Sequence, residues 1–241
     1  MSVPSNRCLF LASVTSASEA VLAHTHGADI IDAKDPSRGA LGALPVATVA
    51  AIRAALPRHV PASATIGDLP ADPGQLVAAA RAMAESGCDM IKIGFFPGGD
   101  ARGAIAALGQ LEIPNVRLVG LLLADQAPDF SLVPVMARAG FAGVMLDTAG
   151  KGSGSLLDHV SMATLDIFIE QAHAANLFAG LAGSLRLSHV ASLMRLKPHV
   201  LGFRGALCEA GNRTGCLSGD LVAQVRAAFE SDKAPVSAGE T

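Results

Sequence analysis

Residues 27–36 read GADIIDAKDP, and the arrangement returns as GCDMIKIG at 87–94 and GFAGVMLD at 140–147. Each time a glycine follows an Ala-rich segment of helical period and precedes a short apolar, β-branched run. A glycine there ends a helix by taking the left-handed conformation just past the last turn, so the repeated unit is helix, glycine, strand. Working outward, runs that suit strands lie at 9–14, 29–34, 62–67, 90–95, 117–123, 143–147, 178–183 and 200–205. Segments of helical period lie near 17–26, 45–56, 74–86, 101–109, 129–139, 163–175, 186–195 and 219–230. Strict alternation predicts a parallel sheet with helices outside. Eight units predict an α/β fold of one kind, a single (β/α)₈ TIM barrel. The open-sheet alternative lacks its usual G-x-G-x-x-G after the first strand. A length of 241 residues fits the roughly 250 of one such barrel. One catalytic domain is therefore expected over 1–230, with a polar, disordered tail over 231–241.

Composition narrows the function classes. Apolar residues make up 51% and charged residues 16%, which excludes a disordered chain. The net charge is −3 with no basic cluster, so nucleic acid is not an expected partner. No apolar stretch is long enough to cross a bilayer without charges or glycines, and the first apolar run suits a strand better than a signal segment. A soluble, cytoplasmic protein without a membrane partner is expected. Cys8, Cys88, Cys208 and Cys216 form no CxxC pair, and no Cys/His spacing suits zinc. They read as reduced thiols, and neither a metal nor a cofactor is expected. His24 and His26, two apart on a helix, do not face each other and read as surface residues. A barrel so rich in apolar residues is expected to form a homo-oligomer.

Lysine usage points to the site. The chain has only Lys34, Lys92, Lys151, Lys197 and Lys233. The first three fall at the end of the second candidate strand, inside the fourth and just past the sixth. Barrel active sites form at the C-terminal ends of the strands, and alternate strands share an interior layer. Asp32 and Lys34 are two apart and share the inner face, which turns Ile31 and Ala33 toward the helices. Asp147 ends the sixth strand and points inward as well. A protonated lysine cannot attack a carbonyl. Burial and neighbouring cations favour the free amine, which forms a Schiff base with an aldehyde or ketone. The bland alternative is that these lysines are structural ion-pair partners.

The seventh strand runs into Ala182-Gly183-Ser184 and the eighth into Arg204-Gly205-Ala206. Loops at those two places commonly bind phosphate in barrels, through backbone N–H groups that glycine leaves accessible. Gly183, Ser184, Gly205 and Ala206 are the candidate phosphate contacts, with Arg213 as a further one. The stretch GKGSG at 150–154 is no nucleotide loop, because Gly152 stands where a Ser or Thr must follow the lysine. SATIGD at 63–68 puts hydroxyls near the mouth, where Asp68 either lines it or caps a strand end. Position and charge thus give a lysine-rich site for a small phosphorylated sugar. They leave open a class I aldolase, a phosphosugar isomerase and a non-catalytic phosphometabolite-binding barrel.

Six stretches together carry a resemblance: ADIIDAKDP at 28–36, SATIGD at 63–68, IKIG at 91–94, MLDTAGK at 145–151, LAGS at 181–184 and GFRGALC at 202–208. The chain resembles the (5-formylfuran-3-yl)methyl phosphate synthases, also called 4-(hydroxymethyl)-2-furancarboxaldehyde-phosphate synthases, of methanofuran-type cofactor biosynthesis. The resemblance implies a TIM-barrel carbon–oxygen lyase with class I aldolase-like chemistry. Such an enzyme joins two molecules of glyceraldehyde 3-phosphate into a furan carrying one phosphate, releasing phosphate and water. It also implies that Lys34 is the Schiff-base lysine, that Lys92 accepts a proton, and that Asp32, Asp147 and Lys151 hold further active-site positions. The loop after Lys151 is richer in glycine here than in the family pattern, which has a second lysine nearby.

Overall fold

The computed structural model describes residues 7–150 and 154–231. Its strands are β1 (Leu9–Val14), β2 (Ile30–Ala33), β3 (Ala62–Thr65), β4 (Met90–Phe95), β5 (Arg117–Leu123), β6 (Gly143–Asp147), β7 (Phe178–Leu181) and β8 (Val200–Phe203). They pair in chain order, all parallel, and β8 returns to β1 to close a barrel. The helices are α1 (Ala17–Thr25), α2 (Val46–Ala54), α3 (Pro73–Ala84), α4 (Ala101–Gly109), α5 (Val133–Arg138), α6 (Leu156–His159), α7 (Met162–Ala174), α8 (Val190–Met194) and α9 (Gly219–Ser231). The (β/α)₈ barrel is the fold the alternation predicts. The single-turn α6, behind β6, is an addition to it.

Local chemistry sets the boundaries. The side chains of Ser16, Asp72, Asp100 and Ser161 each accept from a backbone N–H in the first turn of α1, α3, α4 and α7, satisfying a donor that the helix cannot. At the other ends, Gly27, Gly87 and Gly140 have φ of +104°, +75° and +82°, the conformation expected of the repeated junction. Four strands stop short of the expected ends. Lys34 still donates its N–H to Val14 (3.1 Å) but lies outside β2, and 66–67, 182–183 and 204–205 leave β3, β7 and β8 for loops. The tail expected over 231–241 lies outside the described residues, apart from Ser231, which closes α9.

Alternation along the strands builds two cores. Outward residues such as Phe10, Ile31, Ile91, Ile93, Leu122 and Leu146 pack against the helices. Inward residues Leu9, Leu11, Ile30, Met90, Val119, Met145, Phe178 and Val200 fill the barrel, as is usual for a fold whose interior is packed rather than hollow. Toward the C-terminal ends the inward positions become polar: Ser13, Asp32, Ser63, Thr65, Lys92 and Asp147 are all buried. No helix among the described residues is long and apolar enough to cross a membrane.

The loop between β2 and α2 covers one side of the mouth. Asp68 accepts from the N–H groups of Ala40 (2.8 Å) and Leu41 (2.6 Å), and Thr65 donates its hydroxyl to the Gly42 carbonyl (2.9 Å). The fully buried Leu41 thereby joins the inner core. It sits against Gly94: a Cβ there would collide with Leu41 Cδ1 and lie 2.8 Å from Phe96 Cε2. Gly94→Ala is therefore expected to cost about 1–3 kcal/mol by overpacking, measured by urea unfolding. A stability equal to wild type would show that Leu41 is free to move.

Candidate functional site

Two lysine–aspartate pairs occupy the mouth. Lys92 Nζ on β4 lies 2.9 Å from Asp32 Oδ2 on β2, with side-chain exposures of 3% and 0%. Neighbouring strands complete the carboxylate's shell. Ser13 of β1 and Ser63 of β3 stand beside Asp32 in the sheet, donating to its Oδ2 (2.9 Å) and Oδ1 (2.7 Å). Burial alone would push Asp32 up. The Lys92 and Lys34 ammoniums, helped by the Ser63 and Lys92 hydrogen bonds, outweigh it and hold the carboxyl below its ordinary value. Lys34 reaches across the mouth from the end of β2 to Asp147 Oδ2 at the end of β6 (3.1 Å). Asp147 Oδ1 also accepts the Thr148 N–H (2.8 Å). Lys34, Lys92 and Asp147 line one cavity of about 640 Å³, while Asp32 sits behind Lys92. Such a floor brings two lysines together, each held by a carboxylate from another strand.

The same cavity is lined by Gly183, Ser184, Gly205, Ala206 and Arg213. Gly183 and Ser184 both have positive φ, +104° and +47°. The helical segment expected at 186–195 opens on a 3₁₀ turn, Leu187–His189, and the loop after β8 continues into another, Gly205–Leu207. Backbone donors remain: among the described residues the N–H groups of Gly183, Ser184, Gly205 and Ala206 donate to no backbone oxygen. Arg213 anchors its Nη2 on the carbonyls of Pro36 and Gly39 (2.9 Å to the latter). Burial pulls Arg213 down from its ordinary value against the attraction of Asp147 and Asp68, and it lines the same cavity as Lys34 and Asp147.

Lys151 lies outside the described residues. The segments on either side of it are pinned. Asp125 accepts from Ala149 (2.8 Å) and Gly150 (2.6 Å), and Asp158 accepts from Ser155 N–H (2.6 Å) and hydroxyl (2.8 Å). Asp68 does not line the cavity; it clamps the β2–α2 loop. His24 and His26 are half-buried at the far end of α1 rather than on its surface, His26 Nδ1 lying 2.8 Å from the Leu22 carbonyl.

Sequence reading missed Ser13, because a lone serine in an apolar run carries no mark of its partner. It also missed Arg204, whose five N–H donors go to Arg213 O (2.8 Å), Ser13 O (3.1 Å), Gly215 O (2.9 Å) and both oxygens of Glu19 (2.6 and 3.2 Å). These contacts fasten the β8 loop to β1 and α1 across 185 residues of sequence, and only the closure of the barrel brings them together. Burial opposes ionisation of Glu19, but the Arg204 hydrogen bond and charge hold it below its ordinary value.

Comparison with known proteins adds the family. Residues 10–226 match the family model described as 4-HFC-P synthase. The chain is 35% identical over 231 residues to the (5-formylfuran-3-yl)methyl phosphate synthase of Methanocaldococcus jannaschii, covering 90% of this chain and 98% of that one. A Methylorubrum extorquens protein provisionally given the same name is 42% identical over 225 residues, covering 93% and 92%. Among solved structures, phosphoribosyl anthranilate isomerase from Thermus thermophilus superposes with a TM-score of 0.65 at 18% identity, covering 92% of this chain and 98% of that one. A 3-hexulose-6-phosphate synthase superposes with a TM-score of 0.60 at 17% identity, covering 91% and 99%. At such identities the structures speak for the barrel alone, whereas the sequence matches run through every strand that carries the site. The chain belongs to the 4-HFC-P synthase family.

Proposed function

We propose that this enzyme condenses two molecules of glyceraldehyde 3-phosphate into (5-formylfuran-3-yl)methyl phosphate, releasing phosphate and water, as a step of methanofuran-type cofactor biosynthesis. The observation that carries the reading is the pair of buried lysine–aspartate couples on the floor of one cavity. Lys34 attacks the aldehyde carbon of the first triose phosphate. The carbonyl oxygen leaves as water and a C=N bond forms. Lys92 then takes the proton from the adjacent carbon, whose electrons move into an enamine. The enamine expels the phosphate at C3, and C3 of the resulting enol adds to the second triose phosphate, whose carbonyl has moved to C2 by proton transfer. Closure of that triose's C1 hydroxyl onto C2 of the first, loss of two waters from the ring and hydrolysis of the C=N bond give the formylfuran and free Lys34. Asp147 orients Lys34 and moves protons with it. Asp32, behind Lys92, is a positioning residue. Backbone donors at Gly183, Ser184, Gly205 and Ala206, with Arg213, hold the phosphate of the first triose phosphate. Lys151, outside the described residues, joins the site on the resemblance to the family alone.

Borohydride trapping tests this. Protein incubated with glyceraldehyde 3-phosphate and reduced is expected to carry one covalent adduct, on the peptide containing Lys34, by mass spectrometry. Phosphate binding with no adduct on any lysine would sink the imine mechanism. An adduct on Lys92 instead would exchange the roles of the two lysines.

A further inference from the structure

Among the described residues, the cationic side chains that line the cavity are Lys34, Lys92, Arg186, Arg204 and Arg213. Their commitments differ. The two lysines are paired with Asp147 and Asp32. Every N–H of the Arg204 guanidinium already has an acceptor, so a phosphate finds no donor there. Among the described residues, Arg213 uses only its Nη2, on Pro36 and Gly39, and lines the cavity with Lys34 and Asp147. Arg186, two residues past Ser184, is exposed and makes no salt bridge among the described residues. Its charge is felt by Asp158 and His189 at the rim, and Asp158 already takes both Ser155 donors.

A reaction of two triose phosphates brings two phosphate dianions into one cavity, and like charges at close range cannot share a single cradle. The first phosphate belongs near the centre, because its carbonyl must reach Lys34. The cradle of Gly183, Ser184, Gly205 and Ala206 with Arg213 meets that need. The second must lie farther out, still within reach of a substrate carbon that meets the enol. We propose that Arg186 is a second phosphate subsite at the rim, which holds the phosphate of the second triose phosphate and selects a phosphorylated acceptor. The proposal rests on the two-substrate reading given above. An exposed guanidinium on a short loop suits a transient contact: it presents paired donors to phosphate oxygens and releases them when the product leaves.

The experiment compares wild type, Arg186→Ala and Arg186→Lys in two assays run side by side. One is steady-state furan formation from glyceraldehyde 3-phosphate; the other is borohydride trapping on Lys34 with the same compound. Arg186→Ala is expected to lower furan formation at subsaturating substrate by about 10- to 100-fold, the range of one lost hydrogen bond to a charged group. Trapping on Lys34 stays at the wild-type level, and Arg186→Lys recovers part of the furan rate. Furan formation unchanged in Arg186→Ala overturns the subsite. Trapping and furan formation falling together also overturns it, by placing Arg186 on the first substrate. Wild-type protein that yields neither adduct nor furan overturns the function itself and this subsite with it, and the wild-type arm alone reads that outcome.

Discussion

Replacing Lys34 by arginine is expected to lower furan formation by on the order of 10³-fold or more and to leave the barrel intact. Arginine keeps the positive charge and can still donate to Asp147, whose carboxylate is 3.1 Å from Lys34 Nζ in the wild type. What it removes is the ability to become a free amine, because a guanidinium stays protonated in proteins. A role in charge pairing or phosphate attraction would survive that change; a role as nucleophile would not. The variant should therefore melt close to wild type, still bind inorganic phosphate, and give no borohydride adduct. Retained turnover within a few-fold of wild type would return Lys34 to the status of an ion-pair partner. Lys92→Arg offers a control, since it removes a proton acceptor but leaves the nucleophile, so an adduct on Lys34 should form without furan.

Legibility in the sequence follows from how far a signal reaches along the chain. The barrel could be read because its marks are local: a glycine at each of three helix ends, and short apolar strands such as 30–33, buried throughout. The placement of Lys34, Lys92, Asp32 and Asp147 followed from strand ends and side-chain alternation, again within a few residues. Which lysine meets which carboxylate did not follow. Lys92 pairs with Asp32 over 60 residues and Lys34 with Asp147 over 113, through a register that only the closed sheet fixes. The strand ends at 66–67, 182–183 and 204–205 were read one or two residues too long for a related reason. Their apolar or small residues look like strand, but the mouth takes their backbone groups for loops, as when Gly67 donates to Leu41 rather than to the sheet (2.9 Å). Leu41 itself looks like an ordinary loop leucine until Asp68 is seen pulling the loop over the barrel.

Removing the charge of Asp32 should cost more stability than any other change in the mouth. Asp32→Asn leaves the Lys92 ammonium buried, with 3% of its side chain exposed and no carboxylate to receive it. Breaking a buried pair from one side typically costs about 3–5 kcal/mol, which urea unfolding at pH 7 would measure. The double variant Asp32→Asn/Lys92→Met should regain most of that loss, because the isolated charge is gone, yet it should make no furan. A double variant no more stable than Asp32→Asn would mean that the Ser13 and Ser63 hydroxyls, not the ammonium, carry the penalty. The pH dependence separates the two partners further. In the wild type the folded-state pKa of Asp32 lies below its ordinary value of 3.8. Its contribution is therefore complete above about that pH and is lost as pH falls through the folded value. Lys92→Met takes away the strongest charge opposing burial, so the folded-state pKa of Asp32 moves up toward or past the unfolded value, and the acid loss shrinks or reverses. Asp32→Asn has no carboxyl to titrate and loses that part of the acid slope altogether. A shallower acid limb in both variants would identify a coupled pair, and an acid limb left unchanged by Lys92→Met would mean that each residue stabilises the barrel on its own.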